Sequence, residues 1–144
     1  MIQYAQGNIL NSPAQTIVNP VNCKGVMGAG LALQFKKQYP DMCEKYREFC
    51  REGLLKPGKL MLYKAPDHWI LNFPTKNDWR DGSNIVYIES GLKKFVDTYA
   101  SKGITSIAFP KIGCGLGGLD WSLVELVMRK YLDSLPIDVY VYCG

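Results

Sequence analysis

Short apolar runs along the chain alternate with longer segments in which apolar residues recur at helical spacing. The short runs predict six strands, near residues 2–6, 16–19, 59–65, 68–73, 106–109 and 138–143. The longer segments predict four helices, over about residues 30–38, 41–52, 85–99 and 120–135. Pro40 separates the first two helices, and Gly103 ends the third. Because strands alternate with helices, the chain is predicted to form an α/β/α sandwich.

The composition indicates a single domain over residues 1–144. A chain of 144 residues, 47% of them hydrophobic, can bury a substantial core without disulfides or metals. It has no internal repeats, low-complexity tracts or Ser/Pro-rich linkers, so no internal domain boundary is predicted. The formal net charge of +4 is compatible with a polyanionic partner, but basic and acidic residues are interspersed, which is typical of solvated helix faces.

Cysteine and histidine usage argues against a metal site. The five cysteines are odd in number and lack zinc-ligand spacing, and the chain has one histidine, His68. We therefore expect a reduced protein without metal. No apolar run is long enough to span a bilayer, and a predicted strand follows Met1 directly in place of a signal-peptide start. We expect a cytoplasmic protein without membrane contact, and a monomer.

Two glycine-rich segments, at residues 19–32 and 110–121, each lie between a predicted strand and a predicted helix. Glycine lets backbone N–H groups approach a pyrophosphate, and a following helix N-terminus adds partial positive charge. Neither segment is the phosphate loop of nucleoside triphosphatases, because no Gly-Lys-Ser/Thr follows, and the dinucleotide fingerprint is matched only loosely. Such glycines can also form simple turns. Two loops of similar chemistry favour a phosphate cradle at the carboxyl ends of the strands.

Four blocks of the sequence resemble the ADP-ribose-binding blocks of a macrodomain. They are residues 6–10, 18–22, 27–37 and 109–116. The resemblance spans nearly the whole chain and is greatest to the branch that contains terminal ADP-ribose protein glycohydrolase and the macrodomains of DarG antitoxins, which reverse DNA ADP-ribosylation. It implies a three-layer α/β/α sandwich with a central mixed sheet. It also implies ADP-ribose as the ligand, with no further cofactor.

The resemblance implies which residues contact ADP-ribose. Asn8 would read the adenine amino group, where the family more often has aspartate, Ile9 would offer a backbone contact, and Tyr142 would stack on the base. Asn22 would contact the distal ribose. The other implied contacts lie in the two glycine segments: Met27, Gly28, Gly30, Gly113, Cys114, Gly115, Leu116 and Gly117. On the residues alone, Tyr142 could equally be a packed strand residue, and Asn22 could form an Asx turn.

Lys76 is the candidate catalytic residue. It follows an apolar predicted strand and matches the catalytic lysine of the glycohydrolase branch. An amine near the anomeric carbon C1″ of the distal ribose could attack it as a nucleophile through a Schiff-base-type adduct, or could protonate the leaving group. On composition alone, a lysine in a polar loop would be a solvated side chain.

One position separates the two members of this branch. The protein glycohydrolase pattern has an aspartate where this chain has Gly117, and Asp120, three residues on, is predicted to cap the final helix. The missing acid shifts the resemblance toward DarG macrodomains, which implies thymidine-linked ADP-ribose in single-stranded DNA as the substrate. Trp79 and Arg80, close to Lys76, could stack on or pair with an adjacent nucleotide, or could simply anchor the loop.

Three functions remain open on the sequence. The first is a hydrolase for ADP-ribose on single-stranded DNA, with a cognate DNA ADP-ribosyltransferase toxin as partner. The second is a hydrolase for ADP-ribosyl-glutamate on proteins or for O-acetyl-ADP-ribose. The third is a reader that binds ADP-ribose without catalysis. Gly117, Trp79 and Arg80 favour the first.

Overall fold

The computed structural model describes all residues from Met1 to Gly144 and contains one six-stranded sheet. The strands are β1 (Ile2–Ala5), β2 (Thr16–Val21), β3 (Met61–Lys64), β4 (Trp69–Pro74), β5 (Ser106–Pro110) and β6 (Asp138–Tyr142). The helices are α1 (Gly30–Gln38), α2 (Pro40–Arg51), α3 (Ile85–Thr98) and α4 (Trp121–Leu132). Two 3-10 turns, at Ile9–Asn11 and Gly115–Gly117, complete the elements.

The strand order places the carboxyl ends of five strands at one edge of the sheet. The order is β1-β6-β5-β2-β4-β3, and every neighbouring pair is parallel except β3 with β4. Strand β2 lies between β4 and β5: after β2 the chain forms β3 and β4 on one side of it and then crosses to β5 and β6 on the other side. A crevice at such a switch point is where open α/β sheets bind ligands.

Successive side chains of the central strands belong alternately to two separate hydrophobic cores. Ile17 and Ile70, paired across β2 and β4, belong to a core that includes residues of α1 and α2. Their neighbours Val18 and Leu71 belong to a core built with α3 and α4. Because successive side chains of a strand point to opposite faces, the sheet is buried on both sides. The predicted α/β/α sandwich with a mixed sheet is confirmed.

The ends of the final helix differ from the prediction. Asp120 stands at the N-cap position of α4, but its side chain makes no capping hydrogen bond and is exposed. The prediction that this carboxylate is held by helix N–H groups is therefore wrong.

Across the molecule, no helix combines the length and the apolar character needed to cross a membrane.

Candidate active site

Three loops leave the carboxyl edge of the sheet side by side. The first glycine loop (residues 22–29) follows β2, the lysine loop (residues 75–84) follows β4, and the second glycine loop (residues 111–118) follows β5. Since β2 lies between β4 and β5, the first glycine loop lies between the other two. Together the loops line a cleft of about 710 Å³.

The first glycine loop is shaped by Asn22 and the buried Tyr46. The Tyr46 hydroxyl donates to Asn22, with its oxygen 2.9 Å from Oδ1 and 2.8 Å from the backbone oxygen. Burial raises the pKa of Tyr46 far above its usual value, so the hydroxyl remains a donor. Oδ1 of Asn22 also accepts from Lys24 N at 2.9 Å, and Nδ2 donates to Val26 O at 2.8 Å.

Asn22 therefore forms the Asx turn that the residues alone allowed, and it also lines the cleft. Its amide nitrogen carries two hydrogens, and Val26 O takes one of them. The second hydrogen is available to a ligand hydroxyl. A structural role and a binding role are thus compatible in this side chain.

The second glycine loop requires a glycine at position 113 for steric reasons. Gly113 has φ 76°, and a Cβ there would lie 2.5 Å from Cδ1 of Ile88. Leu116, which is 75% exposed, reaches across to the end of the first loop, since a Cβ on Gly30, the first residue of α1, would lie 3.0 Å from its Cδ1. The two glycine loops therefore approach each other at the mouth of the cleft.

Backbone hydrogen bonds fasten the lysine loop to both glycine loops. Cys23 N donates to Asn77 O at 3.0 Å on one side, and Ser83 N donates to Gly117 O at 2.9 Å on the other. The loop is closed at its own base by Asn84 N, which donates to Thr75 O at 3.0 Å. The three loops thus form one hydrogen-bonded unit, and the lysine loop is held in place on both sides.

Lys76 lies in this unit and lines the cleft, half-buried. None of the six salt bridges of the chain includes it. Lys76 and Lys111 are the only charged residues in the cleft wall, and no carboxylate lines it. A wall with many backbone N–H groups and no carboxylate suits a diphosphate.

The rim beyond Lys76 is built by three consecutive residues. Asp78 is nearly buried and accepts from the Arg80 side chain twice, at 3.0 Å from Nε and 2.7 Å from Nη2. These bonds hold the pKa of the Asp78 carboxyl well below its usual range. The guanidinium carbon of Arg80 lies 5.6 Å from the ring centroid of Trp79, which is 52% exposed. Trp79 is therefore presented to solvent beside the cleft and is not tucked beneath the loop.

A second cavity of about 390 Å³ extends the cleft at its other end. Asn8, Ile9 and Tyr142 line it, and it shares Leu31 and Pro110 with the larger cavity. Oδ1 of Asn8 accepts from the backbone N–H of Leu10 at 3.0 Å and so caps a 3-10 turn. A carboxamide oxygen can accept a second hydrogen bond, so Asn8 retains capacity for an adenine amino group.

Most of the predicted contact residues come together in these two cavities. The larger one contains Asn22, Gly28, Gly30, Lys76, Trp79, Gly113, Cys114, Gly115, Leu116 and Gly117. Arg80 lies at the rim with an exposed side chain. Cys114 is a weak candidate for a nucleophile because burial raises the pKa of its thiol.

Met27 is placed differently from the prediction. Its side chain is 1% exposed and packs in the core against α1 and α2, so it does not line the cleft. Its apolar, unbranched side chain fills space beneath the glycine loop. Conversely, the cleft is also lined by Thr75, Ser83 and Lys111, which were not predicted as site residues. Only proximity to Lys76 and to the glycines could have indicated them.

The sequence of residues 18–128 matches the Macro domain family. The chain belongs to the macrodomain family. Among similar proteins, a "DNA ADP-ribosyl glycohydrolase" of Mycobacterium tuberculosis is 40% identical over 148 residues, covering 99% of this chain and 42% of the relative. A "DNA ADP-ribosyl transferase-DNA ADP-ribosyl glycohydrolase fusion protein" of Thermosipho africanus is 39% identical over 160 residues, covering 98% of this chain and 41% of the relative.

One similar solved structure contains ADP-ribose. It is "Thermosipho africanus DarTG in complex with ADP-ribose", with a TM-score of 0.93 and 40% identity, covering 98% of this chain and 41% of that one. This macrodomain therefore spans about two fifths of the length of these relatives.

Proposed function

We propose that this macrodomain is a glycohydrolase that removes ADP-ribose from thymidine bases of single-stranded DNA. The observation that carries the proposal is the position of Lys76, half-buried and unpaired in a cleft between two glycine loops. The M. tuberculosis relative, named a DNA ADP-ribosyl glycohydrolase, aligns with 99% of this chain and supports the same activity here.

The two joined cavities have space for each part of ADP-ribose. Adenine would lie in the smaller cavity between Asn8 and Tyr142, where stacking on the tyrosine ring would contribute roughly 1 to 3 kcal/mol. The diphosphate would lie against the glycine loops, near the N-terminus of α1. The distal ribose would then reach Asn22 and Lys76. The ADP-ribose complex of the Thermosipho africanus structure supports this choice of ligand.

Lys76 can act on the bond between C1″ of the distal ribose and the thymine base in either of two protonation states. As a neutral amine, Nζ attacks C1″, the bond to the base breaks, and the base leaves with the electron pair and takes up a proton. Water then hydrolyses the adduct, which releases ADP-ribose and regenerates the amine. As an ammonium, Nζ gives its proton to the departing base while water attacks C1″. Both routes require the free side chain that the cleft provides.

Trp79 and Arg80 would bind the strand next to the modified base. The exposed indole offers a stacking face, and its ordered guanidinium neighbour offers a charge-assisted hydrogen bond to phosphate. We expect Trp79→Ala to raise KM for a DNA substrate while leaving the Kd of free ADP-ribose unchanged. A protein-linked substrate would lack this stacking partner.

The functional partner we propose is a DNA ADP-ribosyltransferase, the enzyme class that would supply this substrate. The Thermosipho africanus relative, whose name joins such a transferase to a glycohydrolase in one fusion protein, supports the pairing. Co-expression provides a test: the wild-type macrodomain should restore growth to cells that express a DNA ADP-ribosyltransferase, whereas Lys76→Ala should not.

The deciding experiment measures release of ADP-ribose from two substrates in parallel. One is a thymidine-ADP-ribosylated single-stranded oligonucleotide, and the other is a glutamate-ADP-ribosylated protein. Wild type should release ADP-ribose from the oligonucleotide only, and Lys76→Ala should lose release but keep its ADP-ribose Kd. Lys93→Ala, at an exposed position of α3, is the matched lysine control and should behave as wild type.

The other results would assign the cleft differently. Release from the protein substrate would place this chain with the protein glycohydrolases. Binding of ADP-ribose without release from either substrate would identify a reader, in which Lys76 merely lines the cleft.

A further inference from the structure

Gly117 lies in direct contact with Ser83 of the lysine loop. A Cβ at position 117 would lie 2.3 Å from Oγ and 3.0 Å from Cβ of Ser83, far inside van der Waals contact. The hydrogen bond from Ser83 N to Gly117 O, 2.9 Å long, fixes this approach. Gly117 is not among the glycines with positive φ. The contact with Ser83, and not backbone strain, therefore opposes a side chain at position 117: Ser83 would have to rotate its hydroxyl and shift to admit a Cβ.

Ser83 contributes a hydroxyl group to the cleft in place of the side chain it opposes. Its Oγ lies 3.4 Å from Oγ1 of Thr75, the residue before Lys76, and both residues line the cleft. The distance indicates a weak hydrogen bond. Ser83 Oγ is the donor in this bond, and because the bond is weak and a serine hydroxyl can rotate, Ser83 can donate to a ligand acceptor instead. Next to Lys76, the cleft therefore presents two neutral hydroxyl groups and no carboxylate.

We infer that Ser83 is a specificity-determining residue of this cleft: it keeps an acidic side chain out of position 117 and places a hydroxyl donor there. The inference rests on the proposed function. When the ribose–base bond breaks, a thymine base leaves with the electron pair, and the negative charge spreads over its carbonyl oxygens. A hydroxyl donor stabilises this charge, whereas a carboxylate at the same place would oppose it.

Hydrolysis of an ADP-ribosyl-glutamate ester would be favoured by a different side chain at position 117. Its leaving group is a carboxylate, which is a weaker base than a thymine anion and depends less on a neighbouring donor. An acid at position 117 could instead accept a proton from the attacking water. Replacing Gly117 with aspartate and Ser83 with glycine should therefore move the preference of the cleft from DNA-linked toward protein-linked ADP-ribose.

The test is a cycle of three variants: Gly117→Asp, Ser83→Gly and the double substitution. Gly117→Asp alone should lower Tm and weaken ADP-ribose binding, because the new Cβ overlaps Ser83. The double variant should recover Tm, since the overlapping atoms are gone. With the detection limit taken as the upper bound of the wild-type rate on the protein substrate, its ratio of oligonucleotide to protein release rates should fall at least about tenfold below that of wild type.

Ser83→Ala tests the hydroxyl without creating a new side chain at position 117. We expect its release rate from the oligonucleotide to fall about tenfold or more, with the ADP-ribose Kd within about twofold of wild type. A purely structural serine would not separate these two quantities. Ser101→Ala, which removes an exposed hydroxyl bonded to Thr98 O, is the matched control and should change neither.

Several outcomes would overturn the inference. Gly117→Asp with wild-type Tm, or a double variant that fails to recover Tm, would refute exclusion by Ser83. A folded double variant with an unchanged ratio, together with unchanged release by Ser83→Ala, would refute the role in specificity. Failure of wild type to release ADP-ribose from either substrate would instead refute the proposed function, while the Tm cycle would still report on the contact.

Discussion

At the scale of single residues, the cleft is shaped by side chains that hold the loops in place and also position the groups beside the cleft. Asn22 orders the first glycine loop through its own amide and through Tyr46, yet it keeps one hydrogen for the ligand. Asp78 similarly accepts three hydrogen bonds from Arg80, two from its side chain and one from its backbone N–H, while Trp79, between them in sequence, stays exposed. Binding groups of this cleft are thus positioned before a ligand arrives, which reduces the entropy lost on binding.

Gly115 is the residue at which charge in the phosphate cradle can be tested. It has φ 65° and lines the cleft, and a Cβ there would meet nothing within 4 Å, so this part of the cleft wall has open space for a side chain. We expect Gly115→Glu to abolish ADP-ribose binding and release together, because an anion would occupy the place of the diphosphate. Calorimetric titration with ADP-ribose measures the loss.

Gly115→Ala separates charge from backbone strain. Both variants force a non-glycine residue into a left-handed conformation, at a cost of about 1 to 2 kcal/mol. Only the glutamate adds negative charge, so the alanine variant should still bind ADP-ribose. Tight binding by Gly115→Glu would contradict the placement of the diphosphate between the glycine loops.

The residues that the sequence could predict are those carried by contiguous motifs. Lys76 and Gly115 lie in blocks whose spacing alone indicates a position at the edge of the sheet. Ser83 was not predictable, because its importance arises from contact with Gly117, which is far away in sequence. Met27 was predicted incorrectly for a related reason: a residue within a binding block can point into the core.

At the scale of elements, strands and helices were predictable where the apolar pattern is long. The predicted span of α1 coincides with the observed Gly30–Gln38, because Pro40 and the glycine loop mark both ends. The 3-10 turns at Ile9–Asn11 and Gly115–Gly117 were not predicted, since three residues carry no periodic signal. Asn84 caps α3 by accepting from Val86 N at 2.9 Å, whereas Asp120 makes no such bond to α4.

Helix α3 packs unusually closely on β4 through Gly91. A Cβ at this position would lie 2.4 Å from Cζ of Phe73, whose ring packs edge-on against Phe109 with centroids 6.4 Å apart. Helix propensity favours alanine over glycine by about 1 kcal/mol, but overpacking of a core typically costs about 1 to 3 kcal/mol. We expect Gly91→Ala to lower the free energy of unfolding despite the better helix former.

Urea unfolding of Gly91→Ala and of wild type measures the difference. Lys93→Ala, in the same helix and exposed, tests propensity without core contact and should stay within about 0.5 kcal/mol of wild type. A more stable Gly91→Ala would show that Phe73 moves aside without cost. Because Phe73 lies in the strand that leads into the lysine loop, the destabilised variant should also release ADP-ribose more slowly.

At the scale of the whole molecule, ligand binding and folding are linked because the cleft exists only in the folded chain. Its walls come from three loops that follow β2, β4 and β5, so unfolding separates every group that would hold ADP-ribose. A ligand at 100 times its Kd stabilises the native state by about 2.7 kcal/mol. For a domain of this length, that corresponds to a rise in Tm of roughly 5 to 10 °C.

Thermal unfolding with and without ADP-ribose therefore separates binding from catalysis. Wild type and Lys76→Ala should show the same rise in Tm, since in the proposed mechanism the lysine acts on the bond between the distal ribose and the base and contributes little to holding the product. Gly115→Glu should show no rise, because its carboxylate excludes the diphosphate. If wild type itself showed no rise at saturating ADP-ribose, the native cleft would not bind this ligand. If Lys76→Ala alone lost the rise, Lys76 would be a binding residue, and its effect on release would no longer indicate catalysis.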